Sequence, residues 1–444
     1  MGKLENISAT ALIDTTKVAD PKLGDTPLTG ERYFSDKYMQ MEWDKLWTKT
    51  WLIAGVEADL SQPGDIISTE IGKESVICMR GTDQKIRAFY NVCPHRGNRL
   101  IDDASSHQKN VTCRYHGWRF SLEGQLKFAP CAEDYPQGNP CGKLSLSELP
   151  CEVWAGFVWY SLDEEIAPLE QHLGPLKAQI DTYQMEQMKR IHHVTIEGDF
   201  NWKIPQDNFN ESYHLPFVHP QTKYVMEQHY SFSQFDMYEP LGHTRLIMPG
   251  GGPSRSLKGE TDTILEMMAN ELKFWDLEPE DFRANPHSMR MALQKAKREK
   301  GSEKGFDYSG FVDAQLTDNF HYILFPNLSL SLKPDGAIFT RTNPHPTDPS
   351  KCLFDFWYFM WFPHGEREYY CAVMDQTFPA DFVPEHIQGP FPEVSCGPAI
   401  DQDVEVWSSQ QKGLSSRGFK REYLSGQESR IRFWHETLDR MLSN

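Results

Sequence analysis

The chain lacks long apolar runs and is poor in positive charge. No stretch of its 444 residues is apolar over the eighteen or so positions that a membrane-spanning helix needs. Residues 1–17 lack the apolar core of a secretory signal. Lys and Arg number 45 against 63 Asp and Glu, which gives a net charge of −18. Nucleic-acid binding depends on Lys and Arg at phosphates, so we expect neither a nucleic-acid partner nor a membrane span.

Disulfide patterns and internal repeats are also missing. The nine cysteines are scattered, and their spacing suggests no disulfide framework, so a reducing cytoplasm is the expected compartment. No repeat or low-complexity linker marks a boundary in the sequence. A chain of 444 residues is nevertheless long enough to bury a sizeable core and to form two domains.

Two short runs carry the strongest chemical signal. They are Cys93-Pro94-His95-Arg96-Gly97 and Cys113-Arg114-Tyr115-His116-Gly117-Trp118, which together read C-x-H-x17-C-x2-H. Two thiolates and two imidazoles in split pairs are the ligands of a Rieske [2Fe–2S] cluster, with Cys on one iron and His on the other. The same set could hold zinc, but zinc fingers usually pair Cys with Cys and His with His. The spacing therefore favours the cluster.

A second group of candidate ligands lies between Asp207 and His219. His214 and His219 are five residues apart, which places them roughly 140° apart on an ideal helix. We expect Pro216 to kink the helix between them and to turn His219 toward a metal that His214 faces. Two His and one carboxylate, which can be distant in sequence, are the usual ligands of a non-haem Fe(II) that activates O2.

In this order, the two motifs resemble those of the Rieske non-haem iron aromatic-ring-hydroxylating oxygenases, large (α) subunit family. The resemblance extends from about Tyr33 to the terminal helix and includes Asn201-Trp202-Lys203, Asp207-Asn208-Phe209, Glu211, Tyr213-His214 and His219-Pro220. It implies an α+β fold with a small all-β Rieske [2Fe–2S] domain at residues 46–164. Residues 1–45 and 165–444 would form a helix-grip (START-like) catalytic domain with a large antiparallel sheet.

The resemblance also implies two sets of ligands. Cys93, His95, Cys113 and His116 would bind the [2Fe–2S] cluster, and His214, His219 and Asp403 would bind a mononuclear Fe(II). Asp403 lies in the run Asp401–Trp407, where Ser408 replaces an acid found in many members. Asp401 and Glu405 therefore stay open as alternatives for the third ligand.

Two further residues receive catalytic roles from the resemblance. In the family, subunits form a ring, and the position of Glu211 bridges the Rieske His of one subunit to an iron His of the next. Many aromatic dioxygenases carry Asp at this position, whereas Glu occurs in members that act on quaternary amines. A salt-bridged helix carboxylate is the structural alternative for Glu211. Asn208 is expected to be a polar group near the iron.

The implied activity is that of a terminal oxygenase component, an oxidoreductase that incorporates oxygen from O2. Electrons would come from a ferredoxin or flavin reductase, so NAD(P)H acts only indirectly, and the assembly would be a homotrimer or α3β3 with a small subunit. The main prediction is mono- or dihydroxylation of a hydrophobic aromatic or alicyclic substrate, as in aromatic hydrocarbon catabolism. The alternatives are oxidation of a quaternary ammonium compound, O- or N-demethylation, and an electron carrier without chemistry of its own.

The apolar pocket and the secondary structure can also be predicted. Aromatic and aliphatic residues on predicted strands and near the second motif are candidates to line the substrate pocket: Phe209, Phe217, Leu330, Phe339, Phe356 and Trp361. Helical periodicity predicts helices over residues 31–50, 206–215, 260–301 and 419–443. Strands are predicted at 192–204, 321–332, 336–342 and 353–361, and His192 and His193 would point to opposite faces of theirs.

Overall fold

The structure is a computed structural model that describes residues 17–363, 365–371 and 376–443. Its contacts divide the chain into two compact units. Gln40–His172 forms one unit, and the residues before Gln40 and after His172 form the other. The predicted cluster domain, 46–164, lies inside the first unit. Residues 1–16, on which the expectation of no secretory signal rests, lie outside the described part.

The unit Gln40–His172 is built on short antiparallel strands, in agreement with the predicted all-β domain. Its sheets have the strand orders β1-β10-β9, β2-β3-β4-β8 and β5-β6-β7. Their bounds are β1 (Trp51–Val56), β2 (Ile66–Ile71), β3 (Glu74–Arg80), β4 (Ile86–Tyr90), β5 (Val111–Thr112), β6 (Arg119–Phe120), β7 (Leu126–Phe128), β8 (Glu148–Leu149), β9 (Cys151–Trp154) and β10 (Phe157–Ser161). The buried thiols Cys93 and Cys113 lie in the core of this unit, packed with Trp118 and Phe120.

The second unit is organised around an eight-stranded sheet of order β12-β13-β14-β15-β16-β17-β11-β20. Its pairs are antiparallel except β11–β20, which is parallel, and β18 and β19 form a separate hairpin. The bounds are β11 (Lys189–Gly198), β12 (Gln234–Tyr238), β13 (His243–Met248), β14 (Asn319–Leu324), β15 (Leu328–Lys333), β16 (Gly336–Pro344), β17 (Cys352–Met360), β18 (Glu368–Cys371), β19 (Gln376–Pro379) and β20 (Ile387–Pro390). The predicted run 321–332 is thus a hairpin of β14 and β15.

The helices are shorter than the sequence periodicity predicted. Their bounds are α1 (Asp36–Lys45), α2 (Leu169–Leu173), α3 (Pro175–Asp181), α4 (Lys203–Phe209), α5 (Leu215–Val218), α6 (Thr261–Phe274), α7 (Met289–Lys300), α8 (Pro398–Leu414) and α9 (Ser429–Ser443). The predicted helix 260–301 is two helices, because the chain turns at Asp276 with φ 55° and continues through Pro279 and Pro286. The predicted terminal helix begins only at Ser429.

The two faces of the large sheet carry different side chains. Phe354 of β17 contacts Trp407 of α8 and Phe209 of α4, so this face is covered by those helices. Side chains alternate along a strand, so Trp357 points to the opposite face. Phe339 stacks on Trp357 at 4.6 Å between ring centroids, and Leu330 is paired with Phe339 in register.

Four of the six predicted pocket residues therefore lie on the other face of the sheet, at the surface or in a separate cavity. Leu330 and Phe339 lie on the sheet face opposite α4 and α8, and Phe217 is 79% exposed. Trp361 follows β17 and lines a small cavity with Tyr183 and Tyr308. Phe209 and Phe356 do lie on the face that α4 and α8 cover. Strand periodicity alone cannot show which face meets which helix.

The sequence predicts neither a membrane-spanning helix nor a disulfide framework. Within the described residues, no helix is both long and apolar enough to cross a bilayer. None of the nine cysteines, all of which lie in the described part of the chain, is part of a disulfide.

Candidate metal centres

The two histidines of the second motif lie at the ends of one short helix. His214 is the residue before α5 and His219 the residue after it. The chain leaves α4 at Asn210, so the expected kinked helix through both histidines is wrong. Pro216 does not break a helix between them. It occupies the first turn of α5, where proline is tolerated because its missing N–H would have no intrahelical partner.

Asp403 completes a compact group with the two histidines. It lies in α8, is buried, and places Oδ1 2.9 Å from His219 Nε2 and 3.7 Å from His214 Nε2. One ligand atom from each of the three residues falls within 4.8 Å of the others. Two ligand bonds of about 2.1 Å at right angles bring their donor atoms about 3 Å apart, so this spacing fits a single metal ion. Two imidazoles and a carboxylate suit Fe(II).

Neither alternative carboxylate joins the two histidines. Asp401 accepts hydrogen bonds from Ser395 Oγ at 2.5 Å and from the backbone N–H of Cys396 at 2.9 Å, so it stabilises the start of α8. Glu405 is exposed on the other side of the helix from Asp403. Neither belongs to the convergent group in the described part of the chain. The geometry therefore favours Asp403 over both.

Glu211 is bound to His214 rather than to a basic side chain. Its Oε1 lies 2.6 Å from His214 Nδ1, and its Oε2 accepts the backbone N–H groups of Tyr213 and His214. Burial by itself lowers the pKa of His214, but the carboxylates of Glu211 and Asp403 outweigh it, so the pKa is raised. A carboxylate on Nδ1 fixes the ring so that Nε2 faces Asp403, an arrangement common at metal-binding histidines.

The sequence reasoning missed Gln402, which has the same role for His219. Gln402 Oε1 lies 2.8 Å from His219 Nδ1 and also accepts from Gln221 Nε2 at 3.1 Å. The carboxamide thereby makes Nδ1 the protonated nitrogen and leaves Nε2 facing Asp403. Its position immediately before Asp403 was the available signal, but the contact depends on how α8 is rotated against α5.

We expect Gln402→Ala to lower the affinity for Fe(II) by roughly 10- to 100-fold, the usual effect of removing a group that orients a metal-binding histidine. Fe(II) titration of the metal-free protein measures this directly. Gln410→Ala is a matched control, since Gln410 is an exposed glutamine of the same helix. Equal affinities of the two variants would contradict the orienting role.

Asn208 does not belong to the group of three ligands. It lies in α4, next to Asp207, in the wall of a cavity of about 800 Å³. Its Nδ2 is buried and has no hydrogen-bond partner among the described residues. The same wall includes Glu211, His214, Glu405 and Glu422. Asn208 thus has a free donor near His214, and its catalytic role stays a prediction.

The Cys-His runs of the first motif form two loops of the same conformation. In one, the N–H of Gly97 donates to the carbonyl of Cys93 at 2.9 Å, and in the other Gly117 donates to Cys113 at 2.9 Å. Both glycines have positive φ, 72° and 68°, which explains their place after the histidines. The cysteines are buried, whereas the imidazoles of His95 and His116 are only half-buried, with ring centroids 4.7 Å apart.

This arrangement fits a two-iron cluster better than zinc. A zinc ion requires at least three of its ligand atoms to converge, but the group that does so in the described residues is His214, His219 and Asp403. The thiols of Cys93 and Cys113 are near neighbours, and burial and this proximity raise the pKa of Cys93 to about 11. A thiol pair on the inside and an imidazole pair toward the surface match the split ligand set of a Rieske cluster.

Two family models match the chain. The catalytic domain of the ring-hydroxylating alpha subunit matches residues 185–444, which is more than half of the chain, and the Rieske [2Fe–2S] domain matches residues 50–144. The predicted cofactors, a [2Fe–2S] cluster and a mononuclear iron, are confirmed by these matches. The α+β fold class is confirmed as well.

Individual relatives are more distant. The carnitine monooxygenase oxygenase subunit of Acinetobacter pittii is 32% identical over 42% of this chain and 51% of its own length. The glycine betaine monooxygenase oxygenase subunit of Pseudomonas aeruginosa is 29% identical over 43% of this chain and 44% of its own. The chain thus spans about half the length of these curated relatives.

Solved structures show the same fold over nearly the whole chain. The quaternary ammonium Rieske monooxygenase CntA with an inhibitor has a TM-score of 0.67 at 19% identity, covering 94% of this chain and 95% of that one. Naphthalene 1,2-dioxygenase from Rhodococcus with bound indole has a TM-score of 0.64 at 17% identity, covering 94% of each. With its Rieske domain followed by the matched catalytic domain, the chain belongs to the ring-hydroxylating alpha subunit family of Rieske oxygenases.

Proposed function

We propose that the protein is the terminal oxygenase component of a multicomponent system, which uses O2 and two electrons to hydroxylate a small organic substrate. The observation that carries this proposal is the convergence of His214, His219 and Asp403 in a chain that also holds the Cys-His loops. An electron carrier needs the loops alone. Metal analysis is the first test, because an oxygenase should hold about three irons per chain and a carrier about two.

The residues of the chain would bind and orient the cofactors. Cys93, His95, Cys113 and His116 would hold the cluster, and His214, His219 and Asp403 would hold Fe(II). When bound, these groups store electrons and reduce O2 so that R–H + O2 + 2 e⁻ + 2 H⁺ gives R–OH + H2O. Glu211 and Gln402 fix the two imidazoles so that their Nε2 atoms face Asp403.

We further propose that the substrate is a quaternary ammonium compound rather than an aromatic hydrocarbon. The sheet face covered by α4 and α8 carries a row of polar side chains, which are linked as His321–Ser331 at 2.7 Å, Ser329–Thr340 at 2.7 Å and Gln206–Thr342 at 3.1 Å. In a substrate pocket on this face, the row would bind a polar group, which a hydrocarbon lacks.

Aromatic rings on the same face support a cationic substrate. Phe209, Phe354 and Trp407 contact one another with centroids 5.0–6.4 Å apart. Ring faces attract quaternary ammonium groups by cation–π interaction, and the hydroxyls would receive a polar end of the substrate. The relatives named for carnitine and glycine betaine point to the same class.

Oxidation of a quaternary ammonium compound consumes the same O2 and the same two electrons. Hydroxylation of a carbon bonded to the quaternary nitrogen gives a carbinol, in which that carbon carries both the new hydroxyl and the positively charged nitrogen. Its C–N bond then breaks, the electron pair stays on nitrogen, and the hydroxyl loses its proton, which yields a tertiary amine and an aldehyde. The protein has only to place that carbon near the metal and to exclude other C–H bonds.

A single-turnover assay tests the substrate class without knowledge of the natural reductase. The holoenzyme is reduced chemically, mixed with O2 and one candidate, and the products are identified by mass spectrometry. We expect amine and aldehyde from carnitine, γ-butyrobetaine or glycine betaine, and no diol from toluene or naphthalene. Diol formation from an aromatic compound, with the betaines unchanged, would refute the assignment.

The assembly and the electron donor belong to the same proposal. If Glu211 links His214 to a cluster histidine of a neighbouring subunit, the active unit is a ring, and a homotrimer is the simplest form. The cavity lined by Glu211 and His214 gives such a neighbour access. A ferredoxin or flavin reductase would reduce the cluster. Sedimentation analysis of the holoenzyme should give the mass of three chains, and a monomer with full turnover would contradict the ring.

A further inference from the structure

Four titratable side chains outside the metal centres are hydrogen-bonded to one another beside the cavity. Tyr33 Oη lies 2.7 Å from Asp207 Oδ2 and 2.7 Å from Glu422 Oε1. His435 Nε2 lies 2.9 Å from Asp207 Oδ1 and 3.2 Å from Tyr33 Oη. Tyr33 and His435 are fully buried, and Asp207 is 6% exposed. Asp207 and Glu422 line the same cavity as Glu211 and His214.

The count of hydrogens in this group requires one more proton than the ordinary ionisation states supply. The hydroxyl of Tyr33 has a single hydrogen and can donate to only one of the two carboxylates. If both carboxylates were ionised, the other O···O contact of 2.7 Å would have no hydrogen in it. One of the two carboxyl groups must therefore be protonated and donate to Tyr33 Oη.

The extra proton belongs on Glu422. Asp207 already accepts from His435, whereas Glu422 Oε2 is buried without a partner among the described residues. Burial, followed by the negative charge of Asp207, raises the pKa of Glu422 to about 7. A free glutamate has a pKa of about 4.3. Since the folded value is the higher one, Glu422 holds its proton below about pH 7 and loses it as the pH rises through that value.

We propose that Glu422 is a proton reservoir for the oxygenase reaction, held in the cavity wall by its hydrogen bond to Tyr33. This rests on the proposed function, whose reaction consumes two protons with two electrons from the reductase. The O–H bond of Glu422 breaks, the proton passes to water in the cavity, and the carboxylate is reprotonated from solvent. The negative charge of Asp207 keeps the proton on Glu422, while Tyr33 and His435 are positioning residues that hold the two carboxyl groups in place.

Several elements place charged groups around Glu422, and these groups set the pH at which Glu422 loses its proton. Asp207 of α4 faces it with a negative charge, while His435 of α9 and the guanidinium of Arg32 favour its ionised form. The cavity wall adds the carboxylates Glu211, Glu405 of α8 and Glu428. Glu422 differs from Glu211, Glu405 and Glu428 in its hydrogen bond to Tyr33.

Infrared spectroscopy tests the proton independently of turnover. At pH 6, the wild-type holoenzyme should show a carboxylic-acid C=O band that is lost on titration through about pH 7, and Glu422→Gln should lack it. Tyr33→Phe should shift the band, which keeps the test open if the first variant folds poorly. Glu436→Gln, a carboxylate of α9 that accepts from Gly24 N, should leave the band unchanged. No such band in the wild type would overturn the proposal.

Single-turnover kinetics test the role of that proton. In Glu422→Gln, both metal centres should be reduced at the normal rate. Product should form at least about 10-fold more slowly, with a larger solvent isotope effect. The decline of wild-type turnover above about pH 7 should be absent from the variant. If the wild type shows the band but Glu422→Gln has unchanged kinetics, the proton has only a structural role and the reservoir is refuted. A wild type that makes no product from any substrate would instead refute the oxygenase proposal, and the infrared result would stand.

Discussion

Asp403→Ala should lower the iron content from about three atoms per chain to about two and lower product formation by more than roughly 100-fold. Asp403 is the only carboxylate in the convergent group of the described residues, and its Oδ1 lies 2.9 Å from His219 Nε2. Without it, two imidazoles alone would hold Fe(II), and even loss of an orienting group beyond the ligands weakens metal sites by roughly 10- to 100-fold. Iron analysis and the visible absorption of the cluster measure the two centres separately.

The cluster should be unaffected by this change, because its four ligands lie in the other compact unit. Glu405→Ala is the matched control, since it removes an exposed carboxylate two residues along the same helix. The control should keep about three irons. If Asp403→Ala retains its mononuclear iron and Glu405→Ala loses it, the third ligand has been assigned to the wrong residue.

Glu211→Gln should leave both metal centres loaded and slow product formation by roughly 10- to 100-fold. Glutamine has the same shape and keeps one oxygen that can accept from His214 Nδ1, while its NH2 then faces the backbone N–H groups of Tyr213 and His214 and loses those two bonds. It loses the negative charge, and charge-assisted hydrogen bonds are about twice as strong as neutral ones. If Glu211 also contacts a cluster histidine of a neighbouring subunit, the effect should fall on electron transfer from cluster to iron.

Rapid-mixing experiments separate these steps. In the variant, reduction of the cluster should proceed at the wild-type rate, and its reoxidation during turnover should be slow. Glu405→Gln removes a charge from the same cavity wall and should behave as the wild type. Wild-type reoxidation in Glu211→Gln would rule out the bridge and return Glu211 to a purely orienting role for His214.

The candidate ligands could be proposed from the sequence because they fall within short segments. The loops around Cys93 and Cys113 are short, and each is closed by a glycine of positive φ, so spacing alone identifies them. His214 and His219 are likewise separated by one short helix. The expected kink at Pro216 was wrong, since Pro216 lies in the first turn of α5 rather than inside a longer helix. Residue spacing showed that the two are close but not how the backbone connects them.

Contacts between distant segments could not be predicted. Gln402 meets His219 across 183 residues, and Tyr33 meets Glu422 across 389. Leu330 and Phe339 were misplaced for the same reason, because strand periodicity does not say which face of the sheet meets α8. Helix lengths were overestimated where glycine-free turns, such as the one at Asp276, interrupt a continuous charged pattern.

By itself, the sequence determined the family, the two cofactors and the α+β class, because ligand types and spacing are properties of short segments. Only the tertiary structure decided that Asp403, and not Asp401 or Glu405, faces the histidines. It also decided that the sheet face under α4 and α8 carries a row of polar side chains, and that Tyr33 lies between two carboxyl groups. These facts depend on the rotation and docking of α4, α8 and α9, which are set by packing across hundreds of residues.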